Sequence, residues 1–174
     1  GPGAPKTIPL IDSMYVRRLW FLPEDQGFLL WAIVPGRKVS LLVVGPEGGQ
    51  ARLLLEGASV WWGSEPVSPD GRSVAVIDYN QANVSTGGVK LVPVGGGPAV
   101  TVRGTREGDI VSGWADARGL LLFNRDGLPC RMVRLDLDTG RRDQLRDVMP
   151  ADPSGISGIQ EIQVSSDGRS YSYN

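Results

Sequence analysis

A period of about 46 residues is the feature that most constrains the fold of this 174-residue chain. Four stretches each place an aspartate in a turn signal directly before a run of apolar residues, a pattern that predicts a turn followed by a β-strand. They are residues 22–31 (LPEDQGFLLW), 67–76 (VSPDGRSVAV), 114–123 (WADARGLLLF) and 164–173 (VSSDGRSYSY). The spacings between their aspartates, Asp25, Asp70, Asp116 and Asp167, are 45, 46 and 51 residues. A spacing kept through four copies indicates a repeat protein.

A second sequence marker recurs with the same period as the aspartate turns. Glycine-containing turns occur at residues 44–49 (VGPEGG), 94–97 (VGGG) and 137–140 (LDTG), each between two apolar runs. The repeated unit is therefore a strand, an aspartate turn, a strand, a variable loop, a strand, a glycine turn and a last strand. Four antiparallel strands in about 45 residues match the size of one β-propeller blade.

Helical spacing of apolar residues is not sustained over a dozen positions anywhere in the chain. The apolar runs are short and rich in Val, Leu and Ile, which favours strands. The best helix candidate is residues 141–148 (RRDQLRDV), but it is short and follows a turn. We predict a strand or an irregular turn there, and an all-β fold for the whole chain.

The stretch SPDGRSVAV, at 68–76, followed by GGVKLVPVGGGPAVTV, at 87–102, resembles the repeats of TolB-like β-propellers, relatives of the WD-type repeat. The resemblance implies a β-propeller or a partial, open propeller of about four blades of four antiparallel strands, with the last blade incomplete or composite. Similar arrays occur in periplasmic proteins, in peptidase propeller domains and beside bacterial serine/threonine kinase domains. The resemblance therefore favours a bacterial, extracytoplasmic protein, and the chain contains none of the kinase signatures.

The markers also predict the domain organisation. Residues 1–6 are interpreted as a tag remnant or linker, and residues 7–174 as propeller repeats. The predicted repeats are 12–57, 58–104, 105–148 and a partial 149–174, with 7–11 (TIPLI) as a leftover outer strand. This arrangement leaves exposed blade edges, so we expect a fragment of a larger propeller or self-association with another copy.

Composition excludes several classes of function. Histidine is absent, which removes the commonest general base and zinc ligand, and the single cysteine excludes an internal disulfide and multi-cysteine metal sites. The net charge of −1 gives no basic surplus for nucleic acid, and no run approaches the length of a membrane span. We therefore predict no cofactor, no metal site, no nucleic-acid partner, no membrane segment and no enzyme activity in this chain.

Several conspicuous residues are assigned structural roles. The aspartate turns each offer too few carboxylates for a cation site, so we expect the carboxylates to accept backbone N–H bonds. Cys130 is expected to be a small buried filler. Trp20, Trp31 and Trp114, and at least one of Trp61 and Trp62, are expected to pack between or within blades.

The variable loops are the candidate site. In propellers, the loop after the second strand and the loop joining blades lie on one face, so polar residues in these loops are candidates for a ligand-binding surface. They are Asp78, Asn80, Asn83, Arg103, Arg106, Asp109, Asn124 and Arg125. The leading hypothesis is a non-catalytic binding or scaffold module for a protein, peptide or small ligand. The alternative is an accessory or sensor domain of a bacterial kinase or peptidase whose catalytic domain lies outside this chain.

Overall fold

The computed structural model describes residues 14–57, 60, 64–79, 85–124, 127–165 and 170–173, with only the backbone described at 78, 79 and 85–87. The described residues form thirteen β-strands and one 3-10 turn, Pro23–Asp25, which confirms the all-β prediction. They contain no helix of the length and apolar character needed to cross a membrane. The chain divides after Gly57 into two compact units.

The first unit contains one four-stranded antiparallel sheet in the order β1-β2-β3-β4. Its strands are β1 (Tyr15–Phe21), β2 (Phe28–Ile33), β3 (Val39–Gly45) and β4 (Gly48–Glu56). The aspartate turn lies between β1 and β2 and the glycine turn between β3 and β4, as the repeat predicts. Side chains alternate across this sheet, and the buried ones include Leu30, Ala32, Leu42 and Val44.

The second unit begins with a shorter sheet, in the order β5-β6-β7. Its strands are β5 (Ser73–Tyr79), β6 (Ser85–Pro93) and β7 (Val100–Thr101). The segment before β5 pairs with it through a single bridge between Val67 and Val74. The innermost strand that the repeat predicts is therefore reduced to a bridge in the described part of this sheet.

The next sheet is complete and has the order β11-β10-β9-β8. Its strands are β8 (Asp109–Asp116), β9 (Gly119–Asn124), β10 (Cys130–Asp136) and β11 (Arg142–Val148). The segment that offered the best helix candidate is therefore strand β11. The preceding strand, β10, ends in a turn that Asp136 holds, because its carboxylate accepts the backbone N–H and the hydroxyl of Thr139 at 2.9 and 2.7 Å.

The last sheet pairs β12 (Ile162–Val164) with β13 (Tyr171–Tyr173) and has two described strands. Ile162 is 1% exposed, and its carbonyl accepts the Ser112 hydroxyl of β8 at 2.6 Å. β12 is therefore fixed to the preceding sheet through both packing and a buried hydrogen bond.

The aspartate turn at Asp70 has the structural role that the sequence predicts. Asp70 accepts the Ser68 hydroxyl at 2.6 Å and the Arg72 backbone N–H at 3.0 Å. These hydrogen bonds lower the pKa of Asp70 below its ordinary value. Asp25 differs, because it lies at φ +54° within the 3-10 turn. Asp167 lies outside the described residues.

The core of the second unit is continuous across its sheets. It includes Ala75 and Ile77 of β5, Ile110 of β8 and Leu122 of β9 among its buried members. The Trp114 indole N–H donates to the Pro66 carbonyl at 2.9 Å, which confirms packing of this side chain between neighbouring sheets. Neighbouring sheets of this unit thus pack face to face through apolar side chains.

The remaining aromatic and cysteine predictions are also decided by burial. Trp20 and Trp31 are each 5% exposed, so both are core residues of the first unit. Cys130 is fully buried, and burial raises the pKa of its thiol to about 11. Cys130 is therefore a filler with an inert thiol. Trp61 and Trp62 lie outside the described residues.

Candidate binding cleft on the third sheet

Three of the predicted site residues line one cleft beside the β8–β11 sheet. Arg106, Asp109 and Asn124 lie around an opening of about 580 Å³. We call it the Arg106 cleft and define it by the side chains that carry its polar chemistry: Arg106, Glu107, Asn124, Arg131, Arg142 and Gln144.

Asp109 is a buried structural residue, and the prediction that it is a surface loop charge is wrong in this respect. Its side chain is 2% exposed, and Arg142 donates to its two oxygens at 2.6 and 2.9 Å. The Arg106 backbone N–H also donates to it at 2.6 Å. Asp109 therefore fixes the loop that leads into β8 rather than presenting a free carboxylate.

Asn124 closes the opposite side of the same loop. Its amide donates to the Glu107 carbonyl at 3.2 Å, from the end of β9. The segment 106–109 is therefore held at Arg106 by the Asp109 side chain and at Glu107 by the Asn124 side chain. A loop held in this way keeps the side chains it carries in a defined position.

The cleft carries exposed positive charge. Arg106 and Arg131 are both exposed at its rim, and within the described ranges neither is ion-paired. Glu107 is the single acidic side chain exposed there among the described lining residues. Because Asp109 is neutralised by Arg142, the two rim arginines make the described part of the cleft cationic.

The other predicted residues do not join this cleft in the described structure. Arg103 is exposed and lies beside Gly140, at the turn between β10 and β11. Asp78 lies in β5, and its side chain is not described. Asn80, Asn83 and Arg125 lie outside the described residues.

The sequence-based candidates did not include Arg131, Arg142 and Gln144, because all of those candidates were placed in loops. All three lie on β10 or β11 and contribute to the cleft from the strands. The alternation of Arg142 and Gln144 along a strand was an available signal, since residues two apart share a face.

A separate ion-pair network lies at the turn between β8 and β9. The Arg118 backbone N–H donates to Asp116 at 2.8 Å, and the Arg134 guanidinium bonds both of its oxygens, at 2.9 Å in the shortest contact. The Arg118 hydrogen bond and the Arg134 charge hold the pKa of Asp116 below its ordinary value. The carboxylate of Asp116, like that of Asp70, therefore accepts a backbone hydrogen bond that holds its turn. In the described part of the chain, no group of three or more Asp, Glu, Cys or His residues is arranged to hold a metal ion.

Solved structures show which architecture these sheets belong to. The structure of "putative TolB" from Agrobacterium tumefaciens superposes with a TM-score of 0.61 at 16% identity, over 88% of this chain and 51% of that one. The β-propeller domain of the Trilobed protease from Pyrococcus furiosus, which has an open velcro topology, superposes with a TM-score of 0.53 at 15% identity, over 79% and 43%. The chain has a TolB-like β-propeller fold, in a partial or open form, and its sheets are propeller blades.

The chain spans about half the length of the solved structures it matches. No family model matches the sequence, and no curated protein matches it. The likeness to the two solved structures therefore concerns the fold.

Proposed function

We propose that this propeller is a non-catalytic binding module that uses the Arg106 cleft to recognise an acidic segment of a partner protein. The observation that carries the proposal is the pair of exposed arginines, Arg106 and Arg131, at the rim of one cleft. A guanidinium presents a planar fork of donors that matches a carboxylate.

The support around the cleft favours recognition by a preformed surface. Asp109 and Asn124 hold the segment that carries Arg106, and Arg131 projects from strand β10. Binding to a preformed site costs less ordering entropy than binding to a loop that must first be arranged. The absence of histidine from the sequence supports a role in binding rather than in acid–base chemistry.

A second candidate function is that of an accessory or sensor domain of a larger enzyme. The observation that favours it is the similarity to a propeller domain that belongs to a protease. In that case the acidic segment belongs to the catalytic part or to its substrate. We also propose that the protein is extracytoplasmic, and the TolB-like repeats support this location.

The test compares three fluorescein-labelled peptides of equal length, rich in glutamate, lysine or serine, by fluorescence anisotropy. We expect the chain to bind the glutamate-rich peptide, and the variant Arg106→Glu/Arg131→Glu to bind it at least about tenfold more weakly. The matched control is Arg72→Glu/Arg118→Glu, which changes the net charge equally at two exposed turn positions outside the cleft. Equal loss in both variants, or no selection among the peptides, would refute the proposal.

A further inference from the structure

The Arg106 cleft has an apolar part in addition to its charged rim. Leu128, Pro129 and Val133 also line it, and we call these three residues the apolar wall. Leu128 and Pro129 directly precede β10, and Val133 lies on that strand. Val133 pairs with Gln144 of β11, which places these two side chains on the same face of the sheet. The wall and the polar lining of the cleft are therefore parts of one surface.

The apolar wall is fixed in place and still reachable from solvent. Leu128 and Val133 are half-buried and pack against the core of the second unit, whereas Pro129 is exposed. The next residue, Cys130, is fully buried, and its thiol donates to the Asn124 carbonyl at 3.1 Å. This contact anchors the start of β10 beside the wall. The three side chains thus present a preformed apolar surface within a cleft, as ligand sites in proteins commonly do.

The two kinds of surface differ in how much affinity they can supply. An exposed ion pair changes an affinity by about fivefold or less, because solvent screens both charges. Transfer of a leucine side chain from water into an apolar site contributes more than about tenfold. Specific interfaces accordingly combine a buried apolar anchor with surrounding charges that give selectivity. The Arg106 cleft contains both of these parts.

We propose that the acidic segment recognised by the Arg106 cleft carries an apolar side chain of about leucine size, which packs on the apolar wall. Carboxylates that flank this side chain meet Arg106 and Arg131. The cleft volume of about 580 Å³ has room for such a side chain together with its neighbouring residues. This inference rests on the proposed function and adds a second requirement for the ligand, an apolar anchor among the acidic residues.

Fluorescence anisotropy with four labelled peptides of equal length tests the anchor. Two peptides are glutamate-rich, with a central leucine or a central serine, and two are lysine-rich with the same central residues. We expect the glutamate-rich leucine peptide to bind at least about tenfold more tightly than the glutamate-rich serine peptide. The leucine should give no comparable gain in the lysine-rich pair, because the rim arginines repel those peptides.

Substitutions in the wall test where the leucine binds. Val133→Thr replaces a methyl group by a hydroxyl, so it should reduce the advantage of leucine over serine by about threefold or more and leave binding of the serine peptide unchanged. The matched control is Val164→Thr, at a half-buried strand position that packs against the same core and does not line the cleft. Leu128→Ala is a second wall variant, and its control is Leu91→Ala. Circular dichroism melting curves check that each variant is folded.

The outcomes separate this inference from the proposed function. Equal binding of the two glutamate-rich peptides, each tighter than the lysine-rich ones, would overturn the apolar anchor and leave the acidic-segment proposal standing. A leucine advantage that survives in both wall variants, or that falls equally in their controls, would also overturn the anchor. An equal leucine advantage in the lysine-rich pair, or no binding of any peptide, would refute both proposals.

Discussion

Arg142 and Asp109 form an ion pair that joins the outermost strand of the third blade to the start of its innermost strand. The guanidinium donates at 2.6 and 2.9 Å, and the two side chains are 16% and 2% exposed. The same guanidinium donates to the Gly104 carbonyl at 3.1 Å. One arginine therefore fixes both the carboxylate and the backbone of the segment that enters the blade.

Removing this arginine should destabilise the chain strongly. In Arg142→Met the Asp109 carboxylate stays buried without its charge partner, and breaking a buried pair in this way costs about 3 kcal/mol. Urea denaturation measures the change in the free energy of unfolding. The control is Arg141→Met, whose pair with Asp143 is exposed on both sides and should contribute less than about 1 kcal/mol. Equal losses of unfolding free energy in the two variants would show that the buried pair stabilises the fold no more than the exposed pair does.

Gly104 should tolerate no side chain. Its φ is +85°, and an added Cβ would overlap the Gly140 carbonyl oxygen and approach Leu135 Cδ1 to 3.0 Å. We expect Gly104→Ala to cost about 2 kcal/mol or more, from left-handed strain together with backbone overlap. Gly155→Ala is the control, since its φ is +76° and its Cβ would meet nothing within 4 Å. That variant should lose about 1 kcal/mol, from the backbone conformation alone. A thermal melt of both variants decides the comparison.

The Asp116 pair predicts a defined dependence of stability on pH. The pKa of Asp116 is lowered in the folded chain, so the ionised carboxylate stabilises the fold above its ordinary pKa of 3.8. This contribution is lost as the pH falls through the lower folded value. The free energy of unfolding of Asp116→Asn should therefore be about 0.5 kcal/mol lower than that of wild type at pH 7. The effect is small because the ion pair is partly exposed and screened by solvent.

The difference between wild type and Asp116→Asn should shrink as the pH falls below about 4, and it should vanish once the pH is below the lowered pKa of the folded wild-type carboxyl. Asp138→Asn is the control, because its pair with Arg118 is exposed at 58% and 76%. It should change stability less at every pH. A difference for Asp116→Asn that persists unchanged at pH 2 would contradict the electrostatic cause.

Cys130 should be unreactive in the native protein. Its thiol is fully buried, donates to the Asn124 carbonyl at 3.1 Å and has a pKa raised to about 11. The thiolate fraction at pH 8 is therefore very small, and reagent access is blocked. A chromogenic disulfide reagent should label the chain slowly in buffer and rapidly in urea. Fast labelling of the folded chain would contradict the burial of this side chain.

The repeated strands and turns could be predicted from the sequence because their causes are local. The aspartate turn at Asp70 needs only its neighbours Ser68 and Arg72, and alternation along β9 or β10 needs only one strand. The shortened second sheet was not predicted, because apolar spacing alone does not show that a segment pairs through a single bridge at Val67.

The candidate site could be predicted only in part. Arg106 and Asn124 were found because they lie in or directly beside polar loops, and the structure brings them to one cleft. The burial of Asp109 could not be read from the sequence, since its partner Arg142 is 33 residues away and reaches it only through the arrangement of the folded blade. Arg131 was missed because the candidates were taken from loops, whereas it lies on strand β10.

The most direct test of the binding module is a nuclear magnetic resonance titration of the ¹⁵N-labelled chain with the glutamate-rich peptide. The proposed function predicts that chemical-shift changes concentrate at Arg106, Glu107, Asn124, Arg131 and Gln144 around the Arg106 cleft. Changes concentrated instead at described residues that do not line the Arg106 cleft, or no saturable change at all, would contradict it.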